Sequence, residues 1–286
     1  SFLCRVSTDR EFQTVMGGGL QLSNLALNSG SSKAVMVSAS PQSIGELELV
    51  DTCQGSRIPL TQYNTRYFKD HPPAAIEKFS ISRGSFEIES RLLMPPNLDQ
   101  ARKYPMVLDI HGGPQGRFSD SIDMTHQVLA TSDYIVLAVN PRGSSSYGPE
   151  FANAVLGDWG GQDYLDIMAS VDEACKRPYV DRNRLGVHGY SYGGFMSSWI
   201  IGHDTRFKAA VVGAPCINLV SMYGTSDVGV SFGDIQWGGS PINSLNTLVK
   251  RSPLTYVGNV ETPVLLMHGE DDLRCPIGQS EEYFVA

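Results

Sequence analysis

The stretch from Arg184 to Trp199, RLGVHGYSYGGFMSSW, places a serine between two glycines where a short apolar run ends. The run Leu185 to His188 is typical of a β-strand, and the residues after the second glycine are typical of a helix. G-x-S-x-G between a strand and a helix is the pattern of a sharp, strained turn that lifts a serine hydroxyl above a sheet. Side chains at Gly189 and Gly193 would collide with the neighbouring strand and helix. We therefore predict that Ser191 is a nucleophile, the alternative being a structural Gly/Ser turn.

The composition is that of a globular protein. The 286 residues are 41% hydrophobic and 18% charged, enough for a substantial core. A formal net charge of -8 without a Lys/Arg cluster argues against nucleic-acid binding. No apolar run approaches the roughly 18 residues of a membrane span, so we expect no membrane association. Five scattered cysteines without a C-x-x-C pair predict buried, free thiols in a reducing cytoplasm, and neither disulfides nor zinc.

Residues 1–72 are predicted to form a separate β-rich unit. The runs KAVMVSAS (33–40) and GELELVDT (45–52) alternate apolar and polar residues and predict a β-hairpin. One or two such units are too few for a complete propeller or solenoid. The stiff segment His71-Pro72-Pro73 suits a domain boundary. We expect a second domain over 73–286.

The second region alternates strand-like and helix-like segments. AIEKFSIS and FEIESRLLM predict a hairpin, and a helix is predicted where Tyr164, Met168, Val171 and Cys175 recur at helical spacing. Five apolar runs lack alternation, as strands buried on both faces do: MVLDI (106–110), YIVLAV (134–139), LGVH (185–188), AAVVG (209–213) and VLLMH (264–268). This order predicts an α/β fold with a mostly parallel sheet and helices on both of its faces.

Polar motifs directly follow four of these runs, at the edge where α/β sheets place their sites. They are His111-Gly112-Gly113-Pro114, Asn140-Pro141-Arg142-Gly143, the turn at Ser191, and Gly269-Glu270-Asp271-Asp272. A serine nucleophile needs a histidine base, a carboxylate that orients the base, and two N–H donors for the oxyanion. We expect the backbone N–H groups of Gly113 and Tyr192 to be the donors. The acid lies among Glu270, Asp271 and Asp272, and spacing does not choose between them.

The histidine that this chemistry requires has no obvious candidate. Enzymes with a G-x-S-x-G turn order their triad as serine, acid and histidine, but no histidine follows Asp272. The chain's histidines lie in the linker, in the H-G-G-P loop, at two strand ends where core roles are expected, and near helices: His71, His111, His188, His268, His126 and His203. We therefore expect the domain to be incomplete at its C-terminus and the base to lie beyond residue 286. An inactive homologue is the alternative.

Five ordered motifs resemble the prolyl oligopeptidase family of serine peptidases, and most closely its acylaminoacyl-peptidase and dipeptidyl-peptidase-like branch. They are HGGP, NPRGSSSYGPEF, GDWGGQDYLDIMASVD, GYSYGGFM and HGEDDLRCP, within residues 75–286. The resemblance implies an α/β-hydrolase fold over 73–286. It implies that residues 1–72 are the C-terminal part of a β-propeller plus a linker.

The resemblance also implies roles for single residues. The family pattern D-x-R-x-P matches Asp272 to Pro276, which assigns the acid to Asp272. It places Arg274 near the substrate backbone, where a guanidinium could bind a carbonyl or carboxylate; the alternative is a surface arginine paired with nearby acids. The implied activity is hydrolysis of short peptides through an acyl-enzyme, without a metal or organic cofactor, in a protein that forms homo-oligomers. A carboxylesterase and an inactive peptide-binding homologue remain alternatives.

Overall fold

The computed structural model describes residues 1–286, which divide into two compact units. The first comprises Ser1–Ile76 and Ser119–Thr131, and the second comprises Glu77–Phe118 and Ser132–Ala286. Residues 119–131 thus group with the N-terminal unit, although the sequence places them among the α/β segments. The assignment of residues 1–72 to a β-propeller stays a prediction.

The first unit contains two antiparallel sheets. One pairs β1 (Phe2–Val6) with β2 (Phe12–Gly17), and the other has the order β3 (Gln21–Leu27), β4 (Lys33–Ser40), β5 (Ser43–Asp51), β6 (Arg57–Pro59). Its helices are α1 (Thr65–Asp70) and α2 (Met124–Thr131). Strands β4 and β5 pair antiparallel and so confirm the predicted hairpin. Ala34 and Met36, on one face of β4, lie in a small core with Met16 and Val50.

The second unit is built on a seven-stranded sheet of order β13-β12-β11-β9-β10-β8-β7. The strands are β7 (Ile76–Arg83), β8 (Phe86–Leu93), β9 (Tyr104–Ile110), β10 (Ile135–Asn140), β11 (Val180–Tyr190), β12 (Phe207–Gly213) and β13 (Val264–Met267). The helices are α3 (Pro149–Asn153), α4 (Gln162–Ala174), α5 (Tyr192–Ile201), α6 (Leu219–Thr225), α7 (Gly229–Gln236), α8 (Pro241–Arg251) and α9 (Gly278–Val285), with a 3₁₀ helix over Pro253–Asn259. No helix combines the length and the apolar character needed to cross a membrane.

The sheet confirms the predicted α/β architecture. Strands β10, β9, β11, β12 and β13 pair in parallel in that order, and β8 pairs antiparallel with β10. Strand β10 is buried along its whole length, as predicted for a strand covered on both faces. The edge strand β13 differs from the prediction. Its Leu265 and Met267 are 57% and 56% exposed, because nothing covers the face on which they lie.

The cysteines confirm one expectation and correct another. All five are free, as the lack of paired spacings predicted. Only Cys216 and Cys275 are fully buried, whereas Cys4 and Cys53 are exposed. The prediction of buried thiols was therefore wrong for the first unit, because the core of that unit is too small to enclose them.

Helix α4 carries two almost completely buried carboxylates that fix segments following two strands of the sheet. Asp166 accepts hydrogen bonds from Nε and Nη2 of Arg142, after β10, at 2.7 and 2.8 Å. Asp163 accepts one from the hydroxyl of Tyr192, after β11, at 2.7 Å. Burial raises the pKa of Asp163 to about 6, and the hydrogen bond from Tyr192 limits this rise. The two contacts hold the carboxyl ends of β10 and β11 against one helix.

We predict that Asp166→Ala strongly destabilises the second unit. The substitution leaves the Arg142 guanidinium, whose side chain is only 12% exposed, without its charge partner. Removing one member of such a buried pair costs about 3–5 kcal/mol. The control is Asp172→Ala, which removes an Arg206 partner that is 62% exposed on the same helix and should cost less than about 1 kcal/mol. Urea unfolding measures both; equal losses would contradict the prediction.

We predict a pH-dependent stability that the Tyr192 hydroxyl controls. The pKa of Asp163 rises from 3.8 to about 6 on folding, so this stabilisation is complete below the lower value and is lost as the pH rises through the upper one. The loss amounts to about 3 kcal/mol. In Tyr192→Phe the pKa of Asp163 rises further, which extends the decline to higher pH and lowers the free energy of unfolding at pH 7 by about 1–3 kcal/mol.

The measurement is urea unfolding between pH 4 and pH 8. The matched control is Tyr223→Phe, because the Tyr223 hydroxyl donates to Asp234 on the surface. This control should leave the free energy of unfolding essentially unchanged at every pH, because it removes a hydrogen bond on the surface. Parallel stability curves for the wild type and Tyr192→Phe would refute the proposed link to Asp163.

Candidate active site

The backbone at Ser191 has the strained geometry that the sequence predicts for the turn between β11 and α5. Its φ of 62° and ψ of -119° lie in a region that non-glycine residues rarely occupy. The turn is fixed on both sides, because the Ser191 N–H donates to the Gly213 carbonyl of β12 at 2.9 Å and its carbonyl accepts from the Phe195 N–H at 2.9 Å. Strain of this kind persists only where the surroundings determine it.

The glycines beside the serine are required by close backbone contacts. A Cβ on Gly189 would overlap the backbone of Gly193, and a Cβ on Gly193 would overlap the carbonyl oxygen of Ile110 in β9. This agrees with the collisions predicted with the neighbouring helix and strand. The turn can therefore approach β9 only when both positions lack a side chain.

The two predicted oxyanion donors lie on the two segments that meet at Ser191. The H-G-G-P loop follows β9, and a Cβ on Gly112 would stand 3.6 Å from Cβ of Ser191. The next residue, Gly113, has a φ of 130°. Tyr192 is the first residue of α5, so its N–H has no acceptor within the helix. Neither the Gly113 nor the Tyr192 N–H donates to another backbone group, which leaves both available to a ligand.

Among the three acidic residues after β13, the structure distinguishes Asp272. Its side chain is 18% exposed, whereas Glu270 and Asp271 are exposed residues. Oδ1 of Asp272 accepts hydrogen bonds from the backbone N–H groups of Arg274 and Cys275, both at 2.9 Å. These bonds hold the carboxylate in one orientation and leave Oδ2 free of backbone donors.

No histidine contacts Ser191. The ring of His268, 3% exposed, comes within 3.8 Å of Asp272 Oδ2, but its Nε2 donates to the Cys275 carbonyl at 2.6 Å and its Nδ1 lies 2.7 Å from Ser280 Oγ. His188 bonds to Asp109 across neighbouring strands at 2.6 Å. Both have hydrogen-bond partners, as predicted, but only His268 is a core residue, because the side chain of His188 is 33% exposed. Burial also lowers the pKa of His111, whose ring bonds to the Gly112 carbonyl and to Ser144 Oγ, at 2.8 and 2.9 Å.

The side chain of Arg274 is 62% exposed and paired with an acid far away in the sequence. Its Nε and Nη2 donate to the two carboxylate oxygens of Asp227 at 2.7 and 3.2 Å, and this contact lowers the pKa of Asp227. The backbone strengthens the same contact, since the Asp227 N–H donates to the Leu273 carbonyl at 3.0 Å. The partner of Arg274 is thus not one of the adjacent acids that the sequence offered.

Sequence reasoning missed the sulfur atoms that lie beside Ser191. Sγ of Cys275 is 4.0 Å from Oγ of Ser191, and Sγ of Cys216 is 3.7 Å from Sγ of Cys275. The sequence offered a signal for Cys275, because this residue lies in the motif that assigns Asp272. Cys216 follows β12, and only the pairing of β12 with β13 brings the two thiols together.

Comparison with known proteins agrees with this geometry. The family model of the prolyl oligopeptidase family matches residues 120–286. The uncharacterized peptidase YuxL of Bacillus subtilis is 44% identical over 79% of this chain and 35% of its own length. Dipeptidyl-peptidase 5 of Porphyromonas gingivalis is 38% identical over 84% of this chain and 36% of its own length. The chain thus spans about a third of the length of these curated relatives.

The structures of relatives extend the agreement to the fold. The uncomplexed acylaminoacyl peptidase of Pyrococcus horikoshii superimposes with a TM-score of 0.90 at 29% identity, over 97% of this chain and 44% of its own. That similarity and the parallel sheet confirm the α/β-hydrolase fold. Since the family model covers more than half of the sequence, this chain belongs to the prolyl oligopeptidase family.

Proposed function

We propose that this chain supplies the nucleophile, the acid and the oxyanion donors of a serine peptidase that hydrolyses short peptides through an acyl-enzyme. The observation that supports this most directly is the strained turn, which holds Ser191 against the H-G-G-P loop and beside the segment of Asp272. Such strain has no evident structural benefit and is characteristic of nucleophile turns.

In the proposed reaction, Oγ of Ser191 attacks the peptide carbonyl carbon and passes its proton to a histidine. The backbone N–H groups of Gly113 and Tyr192 donate to the oxyanion of the tetrahedral intermediate. Asp272 orients the histidine and stabilises its charged form. The histidine then protonates the departing amine, and a water molecule, activated by the same histidine, releases the acyl group from Ser191. These groups require no metal or organic cofactor.

We place the histidine beyond residue 286 in the longer protein. All six histidines of the chain lie away from Ser191, and His268 is held by its own hydrogen bonds. Oδ2 of Asp272 accepts no backbone hydrogen bond, so it can accept one from an incoming imidazole. The exposed apolar residues Leu265 and Met267 on β13 supply a surface against which further sequence would pack.

The substrates we propose are short peptides with a free or acylated N-terminus. The names of two similar proteins, a dipeptidyl-peptidase and an acylaminoacyl peptidase, support this class. We assign Arg274 to a carbonyl or carboxylate of the substrate, since its exposed guanidinium is held in place by Asp227.

We also propose a cytoplasmic location and a homo-oligomeric assembly for the longer protein. Support for the location comes from the five free cysteines, two of them exposed, which suit a reducing compartment. The assembly rests on the family resemblance alone.

The experiment that tests this proposal is labelling with a fluorophosphonate probe. We expect Ser191 to be labelled in the protein as its gene encodes it, and not in residues 1–286 alone or in Ser191→Ala. Specificity constants for matched amide and ester substrates then separate a peptidase from a carboxylesterase. A folded, gene-encoded protein that does not react with the probe would leave only the inactive peptide-binding homologue.

A second prediction concerns the acid. Asp272→Asn should lower kcat of the gene-encoded protein by about 10⁴-fold with little change in KM, because a histidine without its carboxylate is no longer held in the productive tautomer. The matched control is Asp271→Asn, an exposed neighbour that should leave kcat unchanged. Equal effects of the two substitutions on peptide hydrolysis would show that the assignment of the acid is wrong.

A further inference from the structure

Two free thiols lie next to each other, and one of them lies beside the proposed nucleophile. The distance from Cys216 Sγ to Cys275 Sγ is 3.7 Å, and the distance from Cys275 Sγ to Ser191 Oγ is 4.0 Å. Cys216 is 3% exposed and Cys275 is 2% exposed. In the proposed mechanism, neither sulfur has a role.

The sheet brings these thiols together. Cys216 lies in the segment between β12 and α6, and Cys275 lies in the segment between β13 and α9. Because β12 and β13 are parallel neighbours, the segments that leave their carboxyl ends meet at one edge. Both segments are loops, which move more readily than the strands that hold them.

We propose that Cys216 and Cys275 form a reversible disulfide when a small peroxide enters the site of Ser191, and that this bond inactivates the site. The effect on activity rests on the proposed function of Ser191, whereas formation of the bond does not. Any molecule that reaches Oγ of Ser191 comes within a few ångströms of Cys275. The site that admits a substrate carbonyl thus gives a peroxide access to an otherwise buried thiol.

The chemistry assigns different roles to the two sulfurs. Hydrogen bonds from Cys216 and Ser191 lower the pKa of Cys275, whereas the hydrogen bond to Cys275 and burial raise the pKa of Cys216. The Cys275 thiolate attacks a peroxide oxygen and the O–O bond breaks, which forms a sulfenic acid. The departing hydroxide takes up the proton that the Cys275 thiol released and becomes one water. The Cys216 sulfur then attacks the Cys275 sulfur, the S–O bond breaks, and a second water leaves with the thiol proton. Two thiols lose two electrons, and one hydrogen peroxide gains them.

The disulfide would displace groups that the proposed reaction needs. An S–S bond of about 2.0 Å requires the sulfurs to approach by roughly 1.7 Å. The backbone N–H of Cys275 donates to Asp272 Oδ1, and its carbonyl accepts from His268 Nε2. Movement of Cys275 therefore shifts Asp272 and moves the sulfur of Cys275 away from Ser191. Displacements of about 1 Å at reacting groups lower rates by about 100-fold.

The test treats the gene-encoded protein with hydrogen peroxide, blocks the remaining thiols with iodoacetamide, and maps disulfides by mass spectrometry without reduction. We expect a peptide pair linked through Cys216 and Cys275. We also expect kcat/KM to fall by about 10- to 100-fold and to recover with dithiothreitol. The proposal is overturned if the peptide map shows Cys216 and Cys275 both alkylated, and therefore not oxidised, at a peroxide dose that oxidises the exposed Cys4 and Cys53.

Two variants, each compared with its own untreated form, separate the pair from general oxidation. Cys216→Ala should give no linked peptide. The kcat/KM that dithiothreitol restores to this variant should decline with longer exposure to peroxide, because Cys275 is oxidised further to the sulfinic acid. The matched control Cys175→Ala, which removes a half-buried thiol elsewhere, should respond as the wild type does. Full recovery of Cys216→Ala after long exposure would overturn the role of Cys216.

Failure of the proposed function gives a different result. In that case the linked peptide forms, but the untreated protein neither reacts with a fluorophosphonate nor hydrolyses peptides. The wild-type peptide map also decides the question if a cysteine variant does not fold.

Discussion

The left-handed backbone of Ser191 is the constraint on which the other features of the site depend. A serine holds a φ of 62° only where its neighbours leave no alternative. Here the Ser191 N–H donates to the carbonyl of Gly213 in β12, and Gly193 of the same turn packs against the carbonyl of Ile110 in β9. Strands β9 and β12 flank β11 in the sheet. The turn thus requires a parallel strand on each side of β11, and this same arrangement delivers the H-G-G-P loop to Ser191.

Helix α4 provides the second support for this edge of the sheet. Carboxylates are costly to bury, and Asp163 and Asp166 are tolerated because hydrogen bonds satisfy both. Trp159, just before the helix, packs edge-on against Tyr192 with ring centroids 4.9 Å apart. The Tyr192 side chain is thus fixed at its ring and at its hydroxyl. These side-chain contacts also position the backbone N–H of Tyr192, a proposed oxyanion donor, which donates to no other backbone group.

Local patterns in the sequence were sufficient to predict the seven strands of the second unit, helix α4 and the turn at Ser191, because apolar periodicity and glycine spacing act within a few residues. These local patterns do not predict contacts that depend on the order of the strands in the sheet. The pairing of Arg274 with Asp227 and the approach of Cys216 to Cys275 follow from elements that are neighbours only in the folded sheet. Cys4 is exposed because the core of the first unit is small. Amino-acid composition is an average over the whole chain and does not show the size of the core in one unit.

The segment after β13 holds the carboxylate of Asp272, the proposed acid, in one orientation. Backbone N–H groups at residues 274 and 275 hold Asp272 Oδ1, while His268 binds the carbonyl of Cys275 and so fixes the same turn from its other side. A carboxylate held in this way needs no reorganisation when an imidazole reaches Oδ2. The same hydrogen bonds make Asp272 sensitive to movement of the segment, since a bond that pulls on Cys275 pulls directly on the backbone N–H that orients Asp272. Positioning of the acid and sensitivity to oxidation are therefore consequences of one set of hydrogen bonds.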